Sequence, residues 1–274
     1  MKSNPPDELV AALERARPRL GRLASAIVFF ETVGSTNDEA ATRSASPERA
    51  APGRCEGLVV IADEQSAGRG RRGHTWFSPP GSGLYVSVVL APALSIHPAR
   101  ATTLLTLAAG LALAEGIEQA TALRVDLKWP NDLHISRRKV GGILAESSGS
   151  GGAADTVVVG YGINVLSTAF PPELRDRATS LESELGRAMD RHQLLAETLA
   201  ALSRRYEDLL AGRFDAILDA WRRLAPAAAG ARVRWTTPAG AATGVTAGVD
   251  DRGALLVRVD GRIERIVSGE VSWL

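Results

Sequence analysis

The chain has 274 residues, 45% of them apolar, with 32 basic against 31 acidic side chains and a formal charge of +1 at pH 7. That length suffices for one large domain and a small one. The charge balance excludes a field of one sign that would draw nucleic acid or membrane to the whole molecule. The single cysteine, Cys55, excludes an intramolecular disulfide framework and a multi-cysteine zinc site. Beside Pro52 and Gly53 it reads as an inert thiol in a loop.

Residues 1–7 are polar and proline-bearing with no apolar block behind them, so no secretory signal is expected. The apolar-rich stretch 104–114, interrupted by Thr106 and Gly110, is too short to span a bilayer. The expectation is a soluble, cytoplasmic protein. In chain order, residues 7–16 have helical spacing, with Leu9, Leu13 and Ala16 on one side, and 27–30 read as a short strand. Residues 36–44 read as a helix because Thr36 and Glu39 have the spacing of a capping box. Strand 57–62 precedes a glycine- and arginine-rich loop at 68–81, and 84–90 is a β-rich strand of the buried type.

The longest helix is expected at 98–119, with Pro98 suited to its first turn. Short strands follow at 125–127, 132–135, 143–146 and 157–159, and helices fill 192–224 with a break near Gly212. After the segment 226–230 the texture changes to four short strands at 233–235, 245–249, 255–259 and 263–267. The last two are joined by Asp260-Gly261, a two-residue hairpin signal. Such spacing predicts a small β-barrel of about 45 residues behind a boundary near 226–230. No internal repeat is present.

Four segments could carry chemistry. In Gly68-Arg69-Gly70-Arg71-Arg72-Gly73, glycines let the backbone approach a ligand and guanidiniums can fork onto carboxylate or phosphate oxygens. A solvated basic loop or a nucleic-acid arm would have the same composition. In Lys128-Trp129-Pro130-Asn131-Asp132, a strand-end lysine could neutralise a phosphate, and Asn131 or Asp132 could offer oxygen to Mg²⁺; an ordinary β-turn reads the same way. Gly34-Ser35-Thr36-Asn37 offers hydroxyls and free N–H groups at a helix start, suited to a polar head group as well as to capping. Gly160-Tyr161-Gly162-Ile163-Asn164 permits close approach after a strand, but no third glycine completes a dinucleotide fingerprint. His74, His97, His134 and His192 have no metal-ligand spacing, and neither a GxSxG elbow nor a GxxxxGK[ST] phosphate loop is present.

Taken in order, GSTNDEA (34–40), DEQSAGRGRRGHTWFSPPGSGLYVSV (63–88), LKWPNDL (127–133), RRKVGGILAES (137–147) and GYGIN (160–164) resemble the bacterial biotin–protein ligases. The resemblance implies an α+β fold: a mixed β-sheet catalytic domain flanked by helices (1–226), of the class II synthetase-like biotin/lipoate ligase type, and a small C-terminal SH3-like β-barrel (227–274). It implies that Ser35, Thr36, Asn37 and Gln65 face the ureido end of biotin. Gly68, Arg69, Gly70 and Arg71 belong to the loop that closes over the carboxylate and the adenylate, and Trp76 packs against the adenylate. Tyr85, Ser87, Gly142 and Gly162 lie near the biotin rings, and Asn164 near the adenine. Lys128, Arg69 and Arg71 are the expected catalytic cations; the metal ligands stay undetermined.

The implied activity is ATP-dependent conversion of biotin to biotinyl-5′-AMP, with Mg²⁺, and transfer to a lysine of the biotin carboxyl carrier protein of acetyl-CoA carboxylase. The implied protein is a biotin–[acetyl-CoA-carboxylase] ligase, monomer or homodimer, with no nucleic-acid or membrane partner. Many relatives carry an N-terminal winged helix-turn-helix repressor module. Only 33 residues precede Gly34, about half of such a three-helix module, and they show one helix pattern, so a ligase without repressor function is expected. His74 stands where relatives often have a basic residue. The alternative is a lipoate–protein ligase of the same fold. A nucleic-acid-binding module using the arginine-rich loop is the reading from another class.

Overall fold

A computed structural model of the chain describes residues 2–45, 55–148, 156–166, 170–238 and 240–274. The loop expected at Pro52 and Gly53 lies outside them. The chain begins β1 (Lys2–Ser3), α1 (Asp7–Ala16), β2 (Ala26–Val33), α2 (Thr36–Ser44), β3 (Leu58–Gln65) and β4 (Gly83–Leu90). It continues through α3 (Pro98–Thr121), β5 (Asp126–Lys128), β6 (Asp132–Ile135), β7 (Arg138–Ser148), β8 (Thr156–Asn164) and the short α4 (Leu181–Leu185). After α5 (Arg191–Leu210) and α6 (Phe214–Leu224) come β9 (Ala229–Thr237), β10 (Gly240–Val249), β11 (Leu255–Val259), β12 (Arg262–Ile266) and β13 (Val271–Trp273).

The first eight strands form one mixed sheet in the order β1-β2-β3-β4-β8-β7-β6-β5, in which only β2 and β3 run parallel. Side chains alternate across a strand, and here the two faces have different tasks. Leu84, Val86, Val88 and Leu90 of β4 join Val157, Val159, Tyr161 and Ile163 of β8 in a core shared with α1, α3, α5 and α6. On the opposite face, Val28, Phe30, Val60, Ala62 and Val158 form a smaller cluster under Ala40 of α2. Beyond α2 that face carries the site. β4 is buried at every position because it lies in the middle of the sheet, which explains why its sequence is apolar on both faces but for Ser87.

α3 meets, by length and composition alone, the requirement for crossing a membrane, yet 72% of its most apolar window is buried inside the protein. It is the central helix of the layer, packed between the sheet and α5 and α6. The expected run 104–114 is thus the middle of a longer buried helix.

The second sheet is antiparallel, in the order β12-β11-β10-β9-β13, and is formed by residues 229–273. It has five strands where four were expected. The three-residue β13 is too short for periodicity to reveal, and β10 begins among Gly and Ala residues that carry no apolar signal. Val233, Trp235, Leu255, Val257 and Val271 belong to the same buried cluster as the helical layer.

Two further expectations are corrected. Ser35, in extended conformation, is the residue before α2, and Thr36 already belongs to the helix; Glu39 is engaged by Arg43 four residues on, so no capping box forms. Residues 160–164 lie inside β8 instead of following a strand. Glycines inside a strand mark close approach, and their use is described below.

One close contact sets the helical layer. A β-carbon on Gly116 of α3 would come within 2.6 Å of Thr198 Cα and 2.9 Å of its nitrogen, both backbone atoms of α5. Alanine favours a helix over glycine by about 1 kcal/mol, but backbone cannot yield locally, so overpacking wins. Gly116→Ala is expected to lose about 2 kcal/mol in urea unfolding. A neutral or stabilising result would show that α3 and α5 lie further apart than this.

Candidate active site

Sheet register sets Tyr85, Gly162, Gly142, Asp132 and Lys128 in one row across five strands. A neighbouring row holds Ser87, Gly160 and Leu144. The glycines leave the floor bare, and a hollow of about 570 Å³ lies above it. A β-carbon on Gly162 would fall 2.3 Å from Trp76 Nε1, and one on Gly160 would fall 2.0 Å from Asn37 Oδ1. On Gly142 it would press Lys139 Cε at 3.2 Å and the Trp76 ring at 3.4 Å. The floor is bare so that these groups can lie flat on the sheet.

One end of the hollow is lined by amides and hydroxyls, with Glu146 and Arg69 beside them. Gln65 Oε1 accepts from the backbone N–H of Thr36 at 2.9 Å and from its hydroxyl at 3.1 Å, while Gln65 Nε2 donates to Ser78 Oγ at 3.0 Å. Asn37 Nδ2 donates to Glu146 at 2.7 Å and to the Leu144 carbonyl at 3.3 Å. Ser87 Oγ lies 2.6 Å from Asn37 Oδ1 and 2.8 Å from Thr36 Oγ1, and its one hydrogen serves one of them at a time. Ser35, Thr36, Asn37 and Gln65 line the hollow; Ser87 is fully buried and acts behind them.

The arginine-rich loop crosses above. Trp76 N–H donates to the Gly68 carbonyl at 2.9 Å, and Arg69 and Thr75 form an isolated antiparallel bridge. Arg69 Nη2 meets Asp38 at 2.6 Å and Glu146 at 2.8 Å, so its charge is compensated twice and its role is to tie the loop to α2 and β7. Arg71 donates to Asn131 Oδ1 at 3.2 Å. Trp76 rests on the glycine floor, with Lys139 Nζ 5.5 Å from its ring centroid.

The other end is charged. Lys139 Nζ bonds Asp132 Oδ1 at 2.6 Å. Burial opposes ionisation of Asp132, but His134 at 3.9 Å and the Lys139 ammonium more than offset it and bring the carboxyl down to about 2. Burial lowers the Lys128 pKa, with Asp132 acting against it. Its ammonium stands 4.8 Å above the Trp273 ring. Trp76 Nε1 and both His134 nitrogens are buried without a hydrogen-bond partner among the described residues.

The structure thus brings Arg69, Gly70, Arg71, Trp76, Lys128, Gly142, Gly162 and Asn164 to one hollow. Asn164 Nδ2 donates one hydrogen to the Thr179 carbonyl at 3.0 Å, which fixes the amide and leaves its oxygen and a second N–H. Gly68 stands back from the hollow, where a β-carbon would strike the Trp76 carbonyl at 2.5 Å. Tyr85 departs from the expectation: its hydroxyl sits under the 79–82 turn, 3.1 Å from the Pro79 carbonyl and from Ser82 Oγ. That burial pushes its pKa up to about 12 and keeps the ring away from the hollow. Sequence reasoning missed Lys139, although the string 137–147 contained it. It also missed Arg177, Glu270 and Trp273, which line the same hollow from distant parts of the chain.

Residues 45–164 match the biotin/lipoate A/B protein ligase family, and residues 229–274 match the biotin protein ligase C terminal domain. The chain is 36% identical over 245 residues to a biotin–[acetyl-CoA-carboxylase] ligase of Paracoccus denitrificans, covering 86% of this chain and 96% of that protein. It is 37% identical over 218 residues to the bifunctional ligase/repressor BirA of Bacillus subtilis, which spans 79% of this chain but 66% of the Bacillus protein. Among solved structures, the Aquifex aeolicus biotin protein ligase in complex with biotin and ATP superposes with a TM-score of 0.73 at 30% identity, covering 91% of this chain and 99% of that one.

The depressed Asp132 pKa has a stability consequence. A carboxyl held below its unfolded value contributes stability above about pH 4, and that contribution is lost as pH falls through the folded value near 2. Asp132→Asn should therefore destabilise the protein by about 2 kcal/mol at pH 7 and by much less at pH 2.5, read from urea midpoints at both pH values. An equal loss at both would detach the effect from ionisation.

Proposed function

The chain belongs to the biotin protein ligase family, and from that membership we propose that it converts biotin and ATP to biotinyl-5′-AMP and transfers the biotinyl group to a carrier lysine. The observation that supports this best is the hollow itself, which has one end lined by amides and hydroxyls and another rich in lysine and arginine, joined by a glycine floor. A ureido ring has two N–H donors and one carbonyl acceptor, which suit the hydroxyls and amides of Ser35, Thr36, Asn37 and Gln65. A dithiolane ring would leave those groups facing sulfur and carbon, which favours biotin over lipoate. The carrier named by the relatives is acetyl-CoA carboxylase, and its biotin carboxyl carrier protein is the proposed acceptor.

In the first step, a carboxylate oxygen of biotin attacks the α-phosphorus of ATP and pyrophosphate leaves. The carboxylate is ionised at neutral pH, so no base is needed. The barrier is the approach of an anion to a polyanion. Lys139, which lies over Gly142 and against the Trp76 ring, Arg71 and Lys128 all line the hollow and are the cations at hand for the junction. These groups would offset the charge that builds at the transferring phosphate. Trp76 and the loop that carries it cover the floor, excluding water from a mixed anhydride that water would destroy. In the second step, the carrier amine attacks the carbonyl carbon and AMP leaves.

Among the described residues no group of three His, Cys, Asp or Glu side chains could hold a metal alone. Mg²⁺ fits as a companion of the nucleotide phosphates, with Asp132 as the half-buried carboxylate at hand, and would shield phosphate charge.

Incubating the protein with biotin, ATP, Mg²⁺ and a purified carrier domain should add one biotinyl mass to the carrier; no shift, or one only with lipoate, would overturn the reading. Lys139→Ala should lower biotin-dependent ATP–pyrophosphate exchange about a hundredfold. Unchanged exchange would remove Lys139 from the first step.

A further inference from the structure

An amide side chain can meet a ligand with its oxygen or with its NH₂ group, and the two recognise opposite chemistry. Beside the hydroxyls of Ser35 and Thr36, Asn37 presents its oxygen: Oδ1 lies over the floor, where a β-carbon on Gly160 would fall 2.0 Å from it. Ser87 does not decide this orientation. Its hydroxyl stands 2.6 Å from Oδ1, but a hydroxyl accepts as well as donates and would serve an NH₂ group too. The Leu144 carbonyl accepts from Nδ2 at 3.3 Å, a long contact that contributes weakly.

Glu146 decides it. Gly142, Leu144 and Glu146 alternate along β7 and so share the face that carries the site. One oxygen of Glu146, Oε2, accepts from Asn37 Nδ2 at 2.7 Å and from Arg69 Nη2 at 2.8 Å. A carboxylate only accepts, so the amide facing it must turn its NH₂ group there and its oxygen the other way. Arg69, itself held by Asp38 at 2.6 Å, keeps the shared oxygen in place. Glu146 stands beside the hollow without lining it, and therefore acts on a ligand through Asn37.

We propose that Glu146 is a positioning residue for biotin: its carboxylate fixes the Asn37 amide so that an oxygen meets a ureido N–H. This role rests on the biotin reading above and gives the head-group contact its selectivity. Asn37 Oδ1 takes the Ser87 hydrogen on one lone pair and keeps the other for the ring N–H. A flipped amide would set an NH₂ group against that N–H, two donors with no acceptor between them. A ligand ring without N–H groups gains nothing from the arrangement. Because Arg69 shares the same oxygen, one atom holds both the arginine-rich loop and the head-group amide.

The test compares Glu146→Leu, which fills space without an acceptor, with Glu146→Gln, whose carbonyl can still accept from Asn37 and Arg69. Calorimetry without nucleotide measures the Kd for biotin and for desthiobiotin, which keeps the ureido ring and lacks the sulfur ring. E146L should weaken both ligands alike, about tenfold, and E146Q should recover most of the loss. Since Asp38 still holds Arg69 in both variants, the KM for ATP in biotin-dependent exchange at saturating biotin should stay within about twofold of wild type. An unchanged biotin Kd in E146L would overturn the proposal. Equal loss in E146L and E146Q would assign the effect to the negative charge on Arg69 and overturn it too. So would a loss confined to biotin, which would place the contact at the sulfur ring, or a matching rise in the KM for ATP, which would assign Glu146 to folding. Failure of the biotin reading is recognised apart from these results, because the wild-type protein would then bind neither ligand.

Discussion

Everything in the site depends on how closely side chains can approach the sheet. Gly142, Gly160 and Gly162 remove the β-carbons from adjoining positions of β7 and β8, and Asn37, Trp76 and Lys139 occupy the space gained. A β-carbon at Gly160 or Gly162 would collide at 2.0–2.3 Å, whereas one at Gly142 would press the Lys139 chain and the Trp76 ring at 3.2–3.4 Å. The strands stay in register because every alternate residue, from Val157 to Ile163, is apolar and buried on the other face. One face thus supplies the rigidity, and the other is left free to be carved. A site built on regular strands keeps its geometry better than one built on loops.

Charge in the hollow is graded by how well it is compensated. Arg69 faces two carboxylates and is a structural tie, whereas Lys139 shares one carboxylate and Lys128 rests on an aromatic ring. A buried carboxylate favours the cation beside it but also cancels its field, so Lys139 retains less attraction for an incoming anion than its distance alone suggests. A π-face stabilises a cation without cancelling its charge. The charged end can therefore hold Lys128 in place while leaving its field for a phosphate. The tendency of burial to lower the Lys128 pKa shows why a stabilising neighbour is needed there.

Much of this architecture was legible in the sequence. The apolar runs located the core strands, helical spacing located α1, α3 and α5, and the match of several ordered strings gave the family and twelve of the residues that line the hollow. What failed did so for physical reasons. Thr36 and Glu39 have capping-box spacing, but Gln65 arrives from β3 and takes the Thr36 hydroxyl and N–H, a partner no local pattern contains. Tyr85 occupies the same row as Gly162 and Gly142, so its strand position was right, but its ring is drawn under the 79–82 turn by two hydrogen bonds. Lys139 and Lys128 look alike in sequence. Only the strand pairing that puts Gly142 opposite Asp132, with Lys139 folded over Gly142, distinguishes the cation on the floor from the one at the edge.

The seam between the two sheets follows the same logic at larger scale. Val233, Leu255, Val257 and Val271 extend the helical core without a break, so the second sheet is bound chiefly by apolar burial. Apolar contact of that kind fixes two bodies together but specifies their relative position loosely, because it has no direction. Direction comes from polar contacts that cross the seam, among them the Trp129 indole to the Gly253 carbonyl, the Arg222 guanidinium to the Val249 carbonyl, and the Arg100 guanidinium to the Asp251 carbonyl. All three end on backbone carbonyls at or beside the β10–β11 turn. A turn that is pinned at three points defines where its sheet sits, and hence where β13 at the sheet's far edge delivers its residues to the hollow.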